Sequence, residues 1–558
     1  MTRTSRIGRA RRAAATTAVT LAAALTLTTT ACSGGGSGQD TADGGTPVSG
    51  GSLTFALNQE PQCLDPHATG QSATYAVDRP VVDSLVHLDS SGKITPWLAG
   101  SWTISDDQLV YTFRLREGVR FSDGTVFDAA AVKANLDHIV DPRTKSLSAA
   151  GYLAPYYRSA TVTDAHTVTV RLKSPYASFL SILSTTNFGM ESPATLKGSA
   201  SALCAKIVGT GPFIMDTAWK KGQGVSYHRN PDYRWAPRGA GHQGPAYLGT
   251  LRIKLISQDS VRVGALTSGQ VDAVARVPAL SVQQIKRTRT ARIQKAYAPG
   301  ENYSLYPNTH GTPFSDLRVR QAFHVGIDWD TLVDKLFFGV YSAADGPLSP
   351  ATRFVADTAD TAVSYDKDKA GRLLDEAGWT GRDAAGYRTQ DGKRLSVRWT
   401  VVKAAESPEN ITLAEQVQAE AKKLGIDVQI VNLPISQVIP NAENGTYDLL
   451  ATGFSGLDAD VLRKLFGTAS IAQPGRMGSN IAKYHNTIVD QDLADAQRTT
   501  DADRRTRLYR QAQRQIVQDE AVFPVYASGY LLGVTARTHG ITLDAEASPV
   551  FYDAWRAR

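Results

Sequence analysis

Residues 395–430 read LSVRWTVVKAAESPENITLAEQVQAEAKKLGIDVQI, and this stretch decides the fold. Leu395, Val397, Trp399 and Val401 alternate with polar residues, the period-two pattern of a half-buried strand. Leu413, Val417, Ala421 and Leu424 then recur at helical spacing. Gly425 can take the left-handed conformation that stops a helix. Ile426, Val428 and Ile430 alternate again. Strand, helix and strand in this order predict two parallel strands with a right-handed crossover. Tyr447–Thr452 offers a further strand, so this part of the chain reads as α/β.

Working outward, the upstream region differs. Residues 94–172 read mostly as short strands, with Tyr111, Phe113 and Leu115 alternating. Thr161–Val162 and Thr167–Leu172 flank Asp164-Ala165-His166 as a hairpin. One helix interrupts them, with Asp128 as its cap and Val132, Leu136 and Ile139 on one face. Ordered sequence begins near Gly51, where Leu53, Phe55 and Leu57 alternate as a strand. In open α/β sheets, ligands sit beyond the carboxyl ends of strands. That rule points to the loop at Asn58-Gln59-Glu60-Pro61 and to the loop GFSGLDAD at 453–460. In the second loop, Asp458 and Asp460 read equally well as caps of a helix over 461–466 and as ligand contacts.

At 558 residues the chain is too long for one ordinary domain, and its 42% apolar content is that of a globular protein. The formal charge of +7 does not describe the body of the chain. The first 31 residues carry five arginines and no acid, which leaves 55 basic against 53 acidic residues beyond them. No basic stripe remains, so nucleic acid is not an expected partner.

Arg3 to Arg12 followed by the uncharged Ala13–Thr30 is the architecture of an export signal over 1–31. Its seven threonines argue against a permanent membrane span. Ala31-Cys32, followed by a Gly/Ser run, resembles a bacterial lipoprotein cleavage site, although Thr29 stands where that pattern has a branched aliphatic residue. The resemblance implies that Cys32 is lipidated and that 32–50 is a flexible tether. Cys63 and Cys204 then remain; two thiols in an exported chain most simply pair, the alternative being two buried free thiols. No CxxC or HxxxH spacing exists, and no two of the ten histidines lie within ten positions, so no metal site is expected.

The chain contains no GxSxG elbow, no HExxH and no phosphate loop. Ser90-Ser91-Gly92-Lys93 matches SxxK but lacks that motif's partners. No catalytic residue and no cofactor are therefore expected.

An ordered set of strings identifies a family. EPQCLDPH at 60–67, YTFRLREGVRFSDGTVFDAAAVKAN at 111–135, VGTGPF at 208–213, RNPDYRW at 229–235 and ALTSGQVDA at 265–273 come first. PFSDLRVRQAF at 313–323, YDKDKAGRLLDEAGW at 365–379, NGTYDL at 444–449 and FPVY at 523–526 follow. Together they resemble the extracytoplasmic solute-binding proteins of ABC importers, in the oligopeptide, dipeptide and nickel class. The resemblance implies a bilobed type II periplasmic-binding-protein fold of the α/β class. Lobe I would comprise 51–92, 205–301 and 526–558, with an accessory domain inserted at 93–204. Lobe II would comprise 302–525. It further implies a monomeric receptor that closes on a solute and delivers it to permease and ATPase subunits, held at the membrane by its lipid.

Peptide receptors of this class anchor the ligand's α-amine on an acidic residue after a lobe II strand, commonly in Trp-x-x-Asp followed by Asp-Pro. Here Phe454-Ser455-Gly456-Leu457-Asp458-Ala459-Asp460 stands instead, with the anchoring acid either replaced by Leu457 or shifted to Asp458. A peptide remains the first expectation. The rivals are nickel, another metal chelate or an opine-like molecule, for which Arg476 could hold a carboxylate bidentately; a secreted hydrolase is the alternative from another class. Gln59, Glu60, Trp399, Phe454, Ser455, Asp458, Asp460 and Arg476 are the expected ligand-binding residues.

Overall fold

The computed structural model describes residues 45–311, 313–357, 363–403, 406–473 and 478–557. Cys32, with the expected signal and most of the tether, lies outside the described residues, and so does Arg476.

Strands Ser396–Val401 and Asp427–Asn432 are parallel and in register from Ser396 opposite Asp427 to Val401 opposite Asn432. The crossover is the helix Pro408–Leu424. Ser407 caps it, its hydroxyl accepting the Asn410 N–H at 3.1 Å, and Pro408 fills the first turn, where no N–H is needed. Gly425 ends it at φ +85°. The apolar stripe Leu413, Val417 and Ala421 is buried against Val397 and Trp399. Leu449–Thr452 lies parallel on the other side of Ser396–Val401. Tyr303–Pro307 then runs antiparallel, and Phe523–Tyr526 completes five strands.

A second sheet has seven strands, in the order 291–297, 529–535, 273–274, 52–57, 250–255, 225–229 and 213–215. Ser52–Leu57 is parallel to both of its neighbours. A third, antiparallel sheet holds the strands within 99–172. The expected hairpin closes with Asp164 opposite Thr167. Helix Ala129–Val140 packs on this sheet, capped by Asp128, whose carboxylate accepts the Ala131 N–H at 2.9 Å. The second and third sheets share one continuous apolar core, while the five-stranded sheet has its own. The chain passes from the seven-stranded to the five-stranded sheet between Tyr297 and Tyr303, and returns between Tyr526 and Gly529.

Gly209 and Gly211 press against the backbone of Pro80–Val81, where a Cβ would overlap the carbonyl groups. Arg318 is ion-paired with Asp316 at 2.6 Å, as an exposed arginine should be. Arg320 is buried, donating to the carbonyls of Phe314 and Asp519. Among the described residues no helix is long and apolar enough to cross a membrane.

Candidate ligand cleft

Because Ser396–Val401, Leu449–Thr452 and Phe523–Tyr526 share one direction, their carboxyl ends open on one edge of the five-stranded sheet. Tyr303 begins its antiparallel strand at the same edge. An aromatic floor forms there. Tyr303 stacks on Tyr526 at 5.0 Å between ring centroids, and Phe337 and Tyr341 pack on Tyr526 at 4.5 and 5.8 Å. The Tyr526 hydroxyl donates to Asn410 at 2.9 Å. Beside this floor lies a cavity of about 290 Å³, bordered by Tyr303, Trp399, Lys403, Glu406, Asn410 and Gln418. Trp399 is fully buried, and its indole N–H has no hydrogen-bond partner among the described residues.

The seven-stranded sheet presents its own carboxyl ends at Leu57 and Val274. Just beyond Val274 stands Arg276, exposed and at φ +47°, a left-handed conformation rare outside glycine and common at working sites. Its guanidinium donates to the Ser72 hydroxyl at 3.1 Å and lies 5.4 Å from the Tyr530 ring centroid. Arg276 also acts on Tyr341, which belongs to the other half of the molecule. Burial raises the Tyr341 phenol to about 12, Arg276 opposes the shift, and Glu409 adds to it. A cation from one half and an acid from the other therefore act on the same phenol in opposite senses.

Loop 453–460 serves a different purpose from the one expected of it. The Asp458 carboxylate is buried and accepts from Ser178 at 2.6 Å, Arg505 at 3.1 Å and the Asp460 N–H at 3.0 Å. Asp460 is buried and paired with Arg463 at 2.9 Å. It makes no side-chain hydrogen bond to helix Val461–Phe466, so the capping expectation fails for it. Both carboxylates are engaged by partners within the chain, Asp458 by Ser178 and Arg505 and Asp460 by Arg463. Ser455 gives its carbonyl to the Tyr152 hydroxyl at 3.0 Å. Ala177 donates to the Gln497 carbonyl at 2.9 Å, and the Lys464 ammonium sits 3.3 Å from the Tyr152 ring centroid. This seam joins the inserted, β-rich part of the chain to the half carrying the five-stranded sheet.

Of the remaining expected residues, Phe454 is half-buried on the core around Leu462 and Tyr306, and its N–H donates to Glu301. Glu60 accepts from the Trp219 indole at 2.6 Å and from the Gly222 N–H. It therefore braces a neighbouring loop, a correction to its role as a free cleft acid. Gln59 is exposed. Cys63 and Cys204 form a disulfide. Arg276 and Tyr341 were missed. The rule about strand carboxyl ends finds Arg276 once Ala273–Val274 is recognised as a strand, but two residues give no alternation to read.

The family model described as bacterial extracellular solute-binding proteins, family 5 middle, matches residues 93–470. Among curated relatives, the glutathione-binding protein GsiB of Escherichia coli is 29% identical over 519 residues, covering 90% of this chain and 94% of that protein. Among solved structures, NikA from Brucella suis in complex with Fe(III)-EDTA has a TM-score of 0.79 at 26% identity, covering 91% of this chain and 100% of that one. AppA from Bacillus subtilis, in complex with a nonapeptide, has a TM-score of 0.73 at 22% identity, covering 92% and 100%; at that identity the likeness concerns the fold.

Proposed function

We propose, on the premise that this chain belongs to the bacterial extracellular solute-binding proteins of family 5, that it is the receptor of an ABC importer for a short peptide or peptide-like zwitterion. Lobe I comprises 51–92, 205–301 and 526–558, with 93–204 inserted, and lobe II comprises 302–525. The two crossings, 297–303 and 526–529, act as the hinge. The observation that carries the ligand class is that a cation exposed beyond the carboxyl end of Ala273–Val274, Arg276, and an acid in the first turn of helix Pro408–Leu424, Glu409, act on the same Tyr341 phenol in opposite senses. A solute with a carboxylate at one end and an amine at the other bridges the two halves through these groups. Such contacts exist only when the lobes are together, so the ligand shifts the molecule towards closure. The aromatic floor accepts side chains without specifying them, and a cavity of about 290 Å³ lies at the small end of ligand pockets.

The family consists of binding proteins, and this one carries its cargo unchanged to permease and ATPase subunits. It works as a monomer, with Cys32 lipidated and residues 32–50 as the tether, which raises its effective concentration at the permease. A second reading, a carboxylate-rich metal chelate or opine-like cargo, is favoured by one observation. Arg276 is exposed at the cleft, whereas Asp458 and Asp460 are unavailable to an amine.

Native mass spectrometry of the purified protein, followed by calorimetry with dipeptides, tripeptides and reduced glutathione, tests the proposal. The expected result is saturable binding of at least one of these with a raised melting temperature. Retention of a metal chelate with no response to any peptide would favour the second reading. Chemical conversion of a bound solute would end both.

A further inference from the structure

The strand Ser52–Leu57 leads into the segment that ends at His67, and His67 is fully buried. Its Nε2 lies 2.9 Å from the Gly189 carbonyl oxygen. A carbonyl can only accept, so Nε2 carries the proton and Nδ1 presents a lone pair. That lone pair faces acceptors: Glu191 Oε1 at 3.8 Å and Asp65 Oδ1 at 4.0 Å. His67 Nδ1 and both carboxylate oxygens of Glu191 have no hydrogen-bond partner among the described residues, and Glu191 is fully buried. Across Asp65, its Oδ2 is 3.1 Å from His138 Nε2, on helix Ala129–Val140. One ligand atom from each of Asp65, His67 and His138 lies within 4.8 Å of the others. Asp78, also fully buried with both oxygens unpartnered, adds to the negative field. The nearby cation Arg79 directs its guanidinium to Ser84, Thr186 and the Ser184 carbonyl.

Asp65 accepts from the His67 and Ala68 N–H groups at 2.8 and 3.2 Å and contacts His138, but the Glu191 carboxylate and the His67 Nδ1 lone pair converge with no donor between them, which is costly unless something positive joins them. We propose that Asp65, His67, His138 and Glu191 bind one divalent cation of the zinc class. Two imidazoles with two carboxylates suit zinc among the common divalent ions. Tetrahedral bonds of about 2.1 Å place ligand atoms about 3.4 Å apart, so the separations of up to 4.8 Å among Asp65, His67 and His138 need to shorten by no more than about 1.4 Å. The Gly189 carbonyl on Nε2–H is the outer-shell contact that fixes a ligating histidine's tautomer. The ion is structural, not cargo: it pins the segment after the first strand to the helix of the inserted region, beside the Cys63–Cys204 disulfide. Local spacing argues against such a site because its ligands come from three distant segments.

The test uses the full chain, stripped with EDTA and dialysed. Zinc chloride is then titrated against a chromophoric chelator, with elemental analysis of the product. The expected result is one tightly held zinc per chain, and a melting temperature that rises when zinc is restored. Glu191→Gln keeps every histidine and cysteine and is expected to weaken zinc binding by about 30-fold or more. X-ray absorption of the zinc-loaded wild type, which does not depend on any variant folding, is expected to show two imidazole ligands and no sulfur. No stoichiometric uptake by the stripped wild type, equal binding by a folded Glu191→Gln, or sulfur at the metal would each overturn the proposal. The first of these would mean that a proton on Glu191 fills the cation's place.

Discussion

Asp458→Asn separates a structural role from a ligand-binding one. Asp458 and Arg505 have side chains only 5% and 4% exposed, and their contact is 3.1 Å. The substitution keeps the shape but removes the negative charge, and it can turn an amide N–H towards a guanidinium that only donates. Arg505 is then a buried cation without a counterion; its Nε already has no partner among the described residues. Breaking one side of a buried pair costs about 3–5 kcal/mol. For a lobe of roughly two hundred residues, about 3 kcal/mol lowers the melting temperature by about 6–12 °C. The assay is thermal unfolding followed by circular dichroism, with urea titration as a second measure. Asp458→Asn combined with Arg505→Met is expected to recover much of the loss, because the buried cation left without a counterion is then gone. If the single variant melts within a degree of the wild type while cargo affinity falls, Asp458 binds ligand and the reasoning is wrong.

Three further outcomes are expected. Arg276→Gln should leave the melting temperature unchanged and weaken a carboxylate-bearing cargo by about 1.5–3 kcal/mol, the range of a hydrogen bond to a charged group, as calorimetry would read. Burial lowers the Lys464 ammonium from 10.5 to about 8. The packed state therefore pays a full ionisation penalty below pH 8, a shrinking one as pH rises to 10.5, and none above. Stability should gain over that window relative to Lys464→Met, compared by urea unfolding at each pH. Replacing both Cys63 and Cys204 by serine opens a cross-link spanning 141 positions and should cost about 2–5 kcal/mol of stability, read by denaturant titration.

Much of the architecture was legible because it rests on periodicity. The strand–helix–strand unit at 395–430, the Asp128 cap and the Asp164 hairpin each follow from local pattern and stereochemistry, and each occurs as read. The cleft was harder. Trp399 is fully buried in the core of its sheet and is among the residues bordering the cavity. The partners of Asp458 and Glu60, Arg505 and Trp219, lie 47 and 159 positions away, beyond the reach of any local pattern.

The same limit separates what the linear chain and the folded molecule each decide. Alternation, helical spacing, caps and turn glycines act over a few residues, so the order of residues along the chain specifies the longer elements, their succession and the family to which they belong. Whether a carboxylate is free, paired or poised for a cation depends on which distant side chains folding brings within about 4 Å. That proximity set the roles of Asp458, Arg276 and the Asp65–His67–His138–Glu191 cluster, because Coulomb and hydrogen-bond energies depend on distance in space and not along the chain.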